Sequence, residues 1–320
     1  MNPFVFVVGC PRSGTTLLQR MLDAHPELVV TNDTHFIPRA LRGEGSHVPL
    51  SSVLVDRVVS YHRFGRLGVD EATARRLAVG SSTYAAYICR LYDQVAAQRD
   101  KPHAGEKTPD YVRHIPLLHE LFPSSKILHI IRDGRDVALS ALDWARPDKG
   151  PGRFPLWESA PLAVCALWWA RFVIAGRLSG PVLGPAIYHE VRYEALVAEP
   201  EAVLCDIVNF LELPFNDCML RFNEGRRSDN PSLSAKAAWR PATPGLRDWE
   251  ASFDANDLDV FDTLVGNLLD ELGYPRKAGN RLAHDRVAQA AAWRAQWLSD
   301  LSDQEGLDQA ALVIAGEVLR

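Results

Sequence analysis

Hydrophobic residues form short continuous runs that alternate with amphipathic segments along much of the chain. Two apolar runs predict buried strands, at Phe4–Val8 and Ile127–Ile131, and a third strand is predicted at Ala186–Val191. Apolar residues at helical spacing follow the first run, as at Leu18 and Met21, and similar helical patterns flank the other two. Because strands and helices alternate, the pattern predicts an α/β fold in which a parallel sheet is flanked by helices.

Two regions lie outside this alternation. Residues from about 40 to 100 carry helical patterns and few strand signals, so we expect a helical insertion there that covers a site. We expect one domain over residues 1–278. Residues 279–320 form an alanine-rich extension with Trp293 and Trp297, which predicts a helical tail that either packs on the body or joins two copies as a homodimer.

Composition excludes several classes of function. The chain has 320 residues, 47% hydrophobic and 23% charged, as in an ordinary globular protein. Its net charge of −5 provides no overall basic field for nucleic acid. The five cysteines are scattered without metal-binding or redox spacing, and no secretion signal or membrane-spanning run is evident at the N-terminus. We therefore expect a cytoplasmic protein with reduced thiols and no membrane span.

The first candidate site follows the first strand, in the segment Gly9-Cys-Pro-Arg-Ser-Gly-Thr-Thr16. This segment has the outline of a phosphate-binding loop, and its place between a strand and a helix predicts a sheet of P-loop type. Thr15 stands where nucleotide-hydrolysing enzymes have lysine, and Arg12 supplies a cation within the loop instead. We therefore expect a ligand with fewer terminal phosphates. The alternative is a simple Gly/Pro turn before a helix.

A second candidate anion site follows the second strand. Arg132 stands at the carboxyl end of that strand, and Ser140 lies two turns into the next predicted helix. Both side chains are suited to bind one phosphate in the crevice where α/β sheets bind ligands. The alternative is that Asp133 caps the helix while Arg135 lies on a solvated face. Two anion sites on parallel strands indicate a nucleotide phosphorylated in two places.

Pro-Arg-Ser-Gly-Thr-Thr and the later Arg-x-x-x-x-x-x-x-Ser resemble the phosphate-binding motifs of sulfotransferases that use 3′-phosphoadenosine 5′-phosphosulfate (PAPS). Residues Phe4–Arg39 are similar to the tyrosylprotein branch of that family and its bacterial relatives. The resemblance implies that Arg132 and Ser140 bind the 3′-phosphate of PAPS and that Tyr193 lies beside the nucleotide. It implies a 5′-phosphosulfate site formed by Arg12, Ser13, Gly14, Thr15 and Thr16. It also implies that Ser234 and Arg240 contact the nucleotide. The spacing between these two residues differs from that in the family.

The resemblance extends to the catalytic groups. Lys107 matches the family's catalytic lysine, which with Arg12 would stabilise charge on the leaving phosphate; a solvated loop lysine is the alternative. The family's glutamate base is replaced by Asp33, which has one methylene less of reach. The base is therefore Asp33, His35 or neither.

Several functions remain open at this point. The resemblance implies sulfuryl transfer, without a metal, to a hydroxyl of a small molecule or of a peptide tyrosine, with release of 3′,5′-ADP. A magnesium-dependent P-loop kinase is an alternative in which Asp133 binds the metal, although Thr15 in place of lysine argues against it. A catalytically silent nucleotide-binding or scaffold protein is the third.

Overall fold

The computed structural model describes residues 2–224, 247–276 and 284–305. By its internal packing the chain divides into two compact units. The first unit comprises Met1–Ile131 with Ala175–Pro244, and the second comprises Arg132–Ile174 with Gly245–Arg320.

A parallel sheet of five strands organises the first unit, in the order β2-β3-β1-β4-β5. The strands are β1 (Val5–Gly9), β2 (Leu28–Asn32), β3 (His103–Lys107), β4 (Lys126–Ile131) and β5 (Tyr188–Arg192). The central strand β1 is apolar at Val5, Phe6, Val7 and Val8, and all four are fully buried. A strand covered on both faces needs no polar alternation, which explains the continuous hydrophobic run.

The α-helices of the described residues are α1 (Thr15–Asp23), α2 (Phe36–Leu41), α3 (Ser52–Val59), α4 (Glu71–Ala78), α5 (Tyr84–Ala97), α6 (Ile115–Leu121), α7 (Gly134–Trp144), α8 (Pro161–Ser179), α9 (Tyr193–Ala198), α10 (Pro200–Leu211), α11 (Trp249–Ser252), α12 (Ala255–Glu271) and α13 (His284–Glu305). Polar caps explain where three of them begin. Ser51, Asp70 and Thr83 each accept a backbone N–H from the first turn of α3, α4 and α5 respectively.

Helices cover both faces of the sheet within the first unit. On one face, Val5 and Val7 of β1 pack in a core with α1, α9 and α10. On the other face, Phe6 contacts Tyr111 and Phe122, with ring centroids 6.1 and 5.9 Å apart. The predicted α/β class, with its parallel sheet, helical insertion and C-terminal helix, is confirmed.

Two strands were not predicted from the sequence. The apolar run at Leu28–Val30 belongs to β2, which extends to Asn32, and β3 occupies a segment for which no strand was expected. In β3 the side chains of Glu106 and Lys107 are polar, yet both are buried. Strands are predicted from the spacing of apolar residues. That criterion misses a strand whose buried polar side chains form hydrogen bonds with distant parts of the chain.

The second unit is helical and includes the described part of the C-terminal tail. Trp297 and Leu301 of α13 are fully buried, and the Trp297 ring packs on Phe154 with centroids 4.4 Å apart. Asp300 accepts a hydrogen bond from the backbone N–H of Leu156 at 3.0 Å. This part of the tail therefore packs on its own chain, and a homodimer contact stays a prediction.

Among the described residues, one segment, Pro161–Leu183, is long and apolar enough to cross a membrane by length and composition. In its most apolar stretch, 61% of the residues are buried inside the protein. Core helices of many proteins meet the same criterion, so this segment gives only weak support for a membrane span.

Candidate active site

The predicted phosphate loop connects β1 to α1 in the first unit. Arg12 and Gly14 both have positive φ angles, 77° and 88°, and the backbone N–H of Ser13 donates to the carbonyl of Cys10 at 3.1 Å. Gly14 is the N-cap of α1, and no side chain caps the helix there. The first N–H groups of a helix have no partner within the helix, and its dipole favours negative charge at this end. This loop is therefore suited to an anion.

The hydroxyl of Ser13 supports this interpretation. Ser13 is only 1% exposed, and its Oγ has no hydrogen-bond partner in the part of the chain that the structure describes. A buried hydroxyl without a partner costs roughly 1–3 kcal/mol, so its position requires an explanation such as a bound water or ligand. A phosphate or sulfate oxygen is an acceptor that would satisfy it. The residues of the loop therefore fit the phosphosulfate group that the sequence implies.

Tyr193 lies against the same loop. It opens α9 directly after β5, is 8% exposed and belongs to the core that contains β1 and α1. A Cβ atom on Gly14 would lie 2.3 Å from Cδ2 of the tyrosine ring. Only glycine fits at position 14, because the ring fills the space and the φ angle is left-handed.

Lys107 connects three elements at the carboxyl edge of the sheet. It is the last residue of β3, and its Nζ lies 3.0 Å from Oδ1 of Asp33, which follows β2. The same Nζ donates to Oγ1 of Thr16, in the first turn of α1, at 3.4 Å. The backbone N–H of Asp33 in turn donates to the carbonyl of Lys107 at 2.7 Å. The structure thus brings together three residues that the sequence predicts for catalysis and donor binding.

The interpretation of Lys107 as a solvated loop lysine is wrong. Its side chain is 2% exposed and lies in a strand. Burial lowers the pKa of Lys107 below its ordinary value, and the carboxylate of Asp33 acts in the opposite direction. Burying an ammonium is costly unless it is paired, so the ion pair with Asp33 accounts for its position.

His35 lies two residues beyond Asp33, at the N-cap of α2. Its ring is 6.4 Å from that of Tyr111, centroid to centroid. Burial, followed by the charge of Arg63, lowers the pKa of His35 to about 4. The imidazole is therefore neutral at physiological pH.

Arg66 is a charged neighbour of the site that sequence reasoning missed. It lies in the short 3₁₀ helix Phe64–Leu67, and its Nη1 is 3.9 Å from Oδ2 of Asp33 and donates to the Asp33 carbonyl at 3.4 Å. The sequence does place this arginine in the insertion expected to cover a site. No local pattern, however, distinguishes it from the other arginines of that insertion.

In the second unit, the Arg132 motif, which extends from Arg132 to Ser140, begins two residues before α7 and continues into that helix. Arg132 donates to Oδ2 of Asp136 at 3.0 Å, and its carbonyl accepts the indole N–H of Trp169 at 3.0 Å. Asp136 also accepts the backbone N–H of Trp249 at 3.2 Å. Ser140 is buried one turn beyond Asp136, and residues four apart share a helix face. Arg132 is therefore oriented by a carboxylate on the face that carries Ser140.

The alternative interpretation of this segment is wrong in placing Arg135 on a solvated face, although Asp133 does cap the helix. Arg135 is 1% exposed and binds both carboxylate oxygens of Asp133, at 3.0 and 2.7 Å. It also donates to the carbonyl of Pro275 at 2.8 Å, and its guanidinium lies 3.6 Å from the ring centre of Trp249. Arg135 therefore organises the interior of the second unit.

The remaining predicted site residues, Ser234 and Arg240, lie outside the described residues. Within the described ranges, no group of three or more His, Cys, Asp or Glu side chains is arranged to hold a metal ion.

Several curated relatives of this chain are protein-tyrosine sulfotransferases. Protein-tyrosine sulfotransferase A of Caenorhabditis elegans is 28% identical over 282 residues, which are 87% of this chain and 68% of that protein. The protein-tyrosine sulfotransferase of Drosophila melanogaster is 28% identical over 224 residues, 69% of this chain and 40% of that protein. The chain thus spans about two thirds of the length of the first of these relatives and two fifths of the second.

Solved structures show the same fold. The sulfotransferase domain of the Synechococcus PCC 7002 olefin synthase has a TM-score of 0.58 at 21% identity and covers 82% of this chain and 94% of its own. The sulfotransferase domain of the curacin biosynthetic pathway has a TM-score of 0.53 at 20% identity, with 92% and 98% covered. The model of the sulfotransferase family matches residues 3–217, which include the phosphate loop, Asp33, Lys107 and the Arg132 motif. This chain belongs to the sulfotransferase family.

Proposed function

We propose that this protein transfers a sulfuryl group from PAPS to a hydroxyl of an acceptor. The observation that carries the proposal is the position of Lys107, whose ammonium lies between the carboxylate of Asp33 and the hydroxyl of Thr16. A cation at the start of the phosphate loop's helix and a carboxylate beside it are the two charged groups that the transfer needs. Membership of the sulfotransferase family supports the assignment of sulfuryl transfer to these two groups.

The donor would be bound through its two phosphorylated positions. The loop residues Arg12, Ser13, Gly14, Thr15 and Thr16 would bind the 5′-phosphosulfate, with the buried Ser13 hydroxyl donating to it. Arg132, oriented by Asp136, would bind the 3′-phosphate with Ser140. Tyr193 would lie beside the nucleotide, and Ser234 and Arg240 are proposed as further contacts from the sequence alone.

The chemistry requires one proton transfer and one displacement at sulfur. The acceptor oxygen forms a bond to sulfur as its proton passes to the carboxylate of Asp33. The bond from sulfur to the phosphate oxygen breaks, and 3′,5′-ADP leaves with the electron pair. Lys107 and Arg12 stabilise the charge that develops on that oxygen, and each such group contributes roughly 3–4 kcal/mol in comparable sites. Asp33 is the proposed base because it stands where the family has its glutamate base and its carboxylate lies in the site beside Lys107.

The acceptor we propose is a small molecule with a hydroxyl group. Two relatives are protein-tyrosine sulfotransferases, which makes a peptide tyrosine the second acceptor to test. A panel of phenols, aliphatic alcohols, sugars and tyrosine peptides, assayed with ³⁵S-labelled PAPS, distinguishes these acceptors. Lack of transfer to every class, together with tight binding of 3′,5′-ADP, would support a silent nucleotide-binding protein instead.

Calorimetric titration tests the donor independently of the acceptor. We expect 3′,5′-ADP to bind more tightly than 5′-AMP, and ATP with magnesium to bind weakly. Ser13→Ala should weaken both nucleotides about tenfold or more, because a hydrogen bond to a charged group contributes roughly 1.5–3 kcal/mol. Arg132→Met should weaken 3′,5′-ADP and leave 5′-AMP unchanged. A preference for ATP with magnesium, or equal effects of both variants on 5′-AMP, would refute the assignment.

A further inference from the structure

A fully buried carboxylate lies directly behind the proposed catalytic pair. Glu106 precedes Lys107 in β3 and is 0% exposed. Its Oε1 accepts hydrogen bonds from the hydroxyls of Thr34 and Thr108 and from the backbone N–H of Thr34, the last at 3.1 Å. Its Oε2 accepts a hydrogen bond from the hydroxyl of Tyr92. Four donors around one carboxylate make a fully satisfied network, which rigidifies its surroundings.

The segment that Glu106 holds is strained. Asp33 and His35 both have left-handed backbone angles, with φ of 51° and 61°. For a residue other than glycine such a conformation costs about 1–2 kcal/mol, and it persists where the surroundings impose it. Thr34 lies between these two residues and is bound to Glu106 through its backbone and its side chain.

The next turn of the chain is held in the same way. The backbone N–H of Ile37 donates to the hydroxyl of Tyr111 at 3.1 Å, and its carbonyl accepts from the hydroxyl of Tyr84 at 2.9 Å. Both tyrosines are fully buried or nearly so. Hydrogen bonds from buried side chains thus hold the backbone from Asp33 to Ile37, in addition to the burial of Phe36 and Ile37.

Successive residues of a strand point to opposite faces, so Glu106 and Lys107 act on opposite sides of β3. Lys107 contacts the carboxylate of Asp33, and Glu106 holds the neighbouring Thr34. We propose that Glu106 is a positioning residue, which fixes the strained turn at Thr34 so that the carboxylate of Asp33 lies against Lys107. This inference rests on the proposed function for its catalytic consequence but not for its geometry.

The test removes one hydrogen bond between Glu106 and the turn and leaves the fold unchanged. Thr34→Val deletes the hydroxyl donor at almost constant volume. Tyr92→Phe is the control, because it removes a donor from the other oxygen of the same carboxylate and keeps both hydrogen bonds from Thr34 to Glu106. Thr34→Ser restores the hydroxyl. In each variant, NMR of ¹³C-labelled lysine measures the pKa of Lys107, a readout that requires no acceptor and no donor.

We expect Thr34→Val to lower the pKa of Lys107, because the carboxylate of Asp33, which favours the charged ammonium, is then held less closely to it. Sulfuryl transfer per folded molecule should fall about tenfold or more, with the affinity for 3′,5′-ADP unchanged. Thr34→Ser should match the wild type, and Tyr92→Phe should lower only thermal stability. An unchanged pKa of Lys107 in Thr34→Val, or an equal fall in Tyr92→Phe, would overturn the inference.

These outcomes separate the two proposals. If the wild-type protein transfers no sulfuryl group, the proposed function fails, while the Lys107 titration still decides the role of Glu106. If the wild type is active and Thr34→Val has the wild-type turnover and the wild-type Lys107 pKa, the role of Glu106 alone fails.

Discussion

Replacing Lys107 by methionine should abolish most of the sulfuryl transfer. Methionine has a similar length and fills the buried position, so the substitution removes the charge with little change in volume. The ammonium is 2% exposed and lies 3.0 Å from Asp33, so water cannot readily replace it. We therefore expect the main effect on the reaction rather than on binding of the nucleotide.

The expected size follows from the surroundings of the ammonium. Loss of one preorganised donor to a developing anion lowers kcat by roughly 10²–10³, equivalent to about 2.7–4 kcal/mol. The free energy of unfolding should fall by less than the roughly 3–5 kcal/mol that an isolated buried charge costs. The reason is that the carboxylate of Asp33, once Lys107 is replaced, is still 21% exposed to water and still has the guanidinium of Arg66 at 3.9 Å.

Lys101→Met provides the matched control. Lys101 also has a partly buried ammonium in the first unit, and it donates to the carbonyls of Asp23, His25 and Leu28, each at 2.8 Å. Its loss should lower stability without altering turnover per folded molecule. The assay is single-turnover transfer of ³⁵S from labelled PAPS to the best acceptor of the panel, with urea denaturation of both variants.

The result that would refute this reasoning is specific. If Lys107→Met retained turnover within about threefold of the wild type, the ammonium would not stabilise the transition state. If Lys107→Met and Lys101→Met lost turnover equally, the effect would be one of folding rather than of catalysis.

Three further results are expected. Asp33→Asn should lower kcat by roughly 10²–10⁴, whereas His35→Gln should lower it much less; the reverse order in the transfer assay would make the histidine the base. Gly14→Ala should destabilise the protein by about 1–3 kcal/mol, because the added Cβ clashes with Tyr193 and the φ angle is left-handed. Urea denaturation measures this loss, and an unchanged midpoint would contradict the packing of Tyr193 on Gly14. Burial, followed by a nearby arginine, lowers the pKa of His129 to about 3, so below pH 6.5 the unfolded chain binds a proton that the folded protein excludes. The free energy of unfolding should therefore fall as the pH drops from 6.5 towards 3, by up to about 1.4 kcal/mol per pH unit. In His129→Gln the dependence of this free energy on pH should be weaker by the contribution of one bound proton.

The phosphate loop could be predicted from the sequence because its information is local. A buried strand, a loop with Arg12 and Gly14, and an amphipathic helix follow one another within about twenty residues. The left-handed angles at Arg12 and Gly14 and the helix that begins at Thr15 follow from that local pattern. The Arg132 motif was found for the same reason, as the end of one strand and the start of one helix.

Residues whose environment comes from distant segments could not be placed in this way. Arg135 is buried because Asp133, Trp249 and Pro275 enclose it, and two of these lie more than a hundred positions away. Arg66 approaches Asp33 only through the fold of the insertion. In both cases the sequence shows a charged residue on a helical segment, which predicts a solvated side chain unless its partners are known.

Strand β3 shows why the site itself is the hardest part of this fold to predict. Its residues Glu106 and Lys107 carry opposite charges and are both buried, an arrangement that local propensity and periodicity disfavour. Each charge is satisfied by a partner more than ten residues away, Tyr92 and Thr34 for one and Asp33 for the other. Burying such groups costs stability that the apolar strand β1 beside them offsets. A polar strand next to the most apolar strand of a sheet is therefore a signal of function, because folding alone gives no reason to bury those charges there.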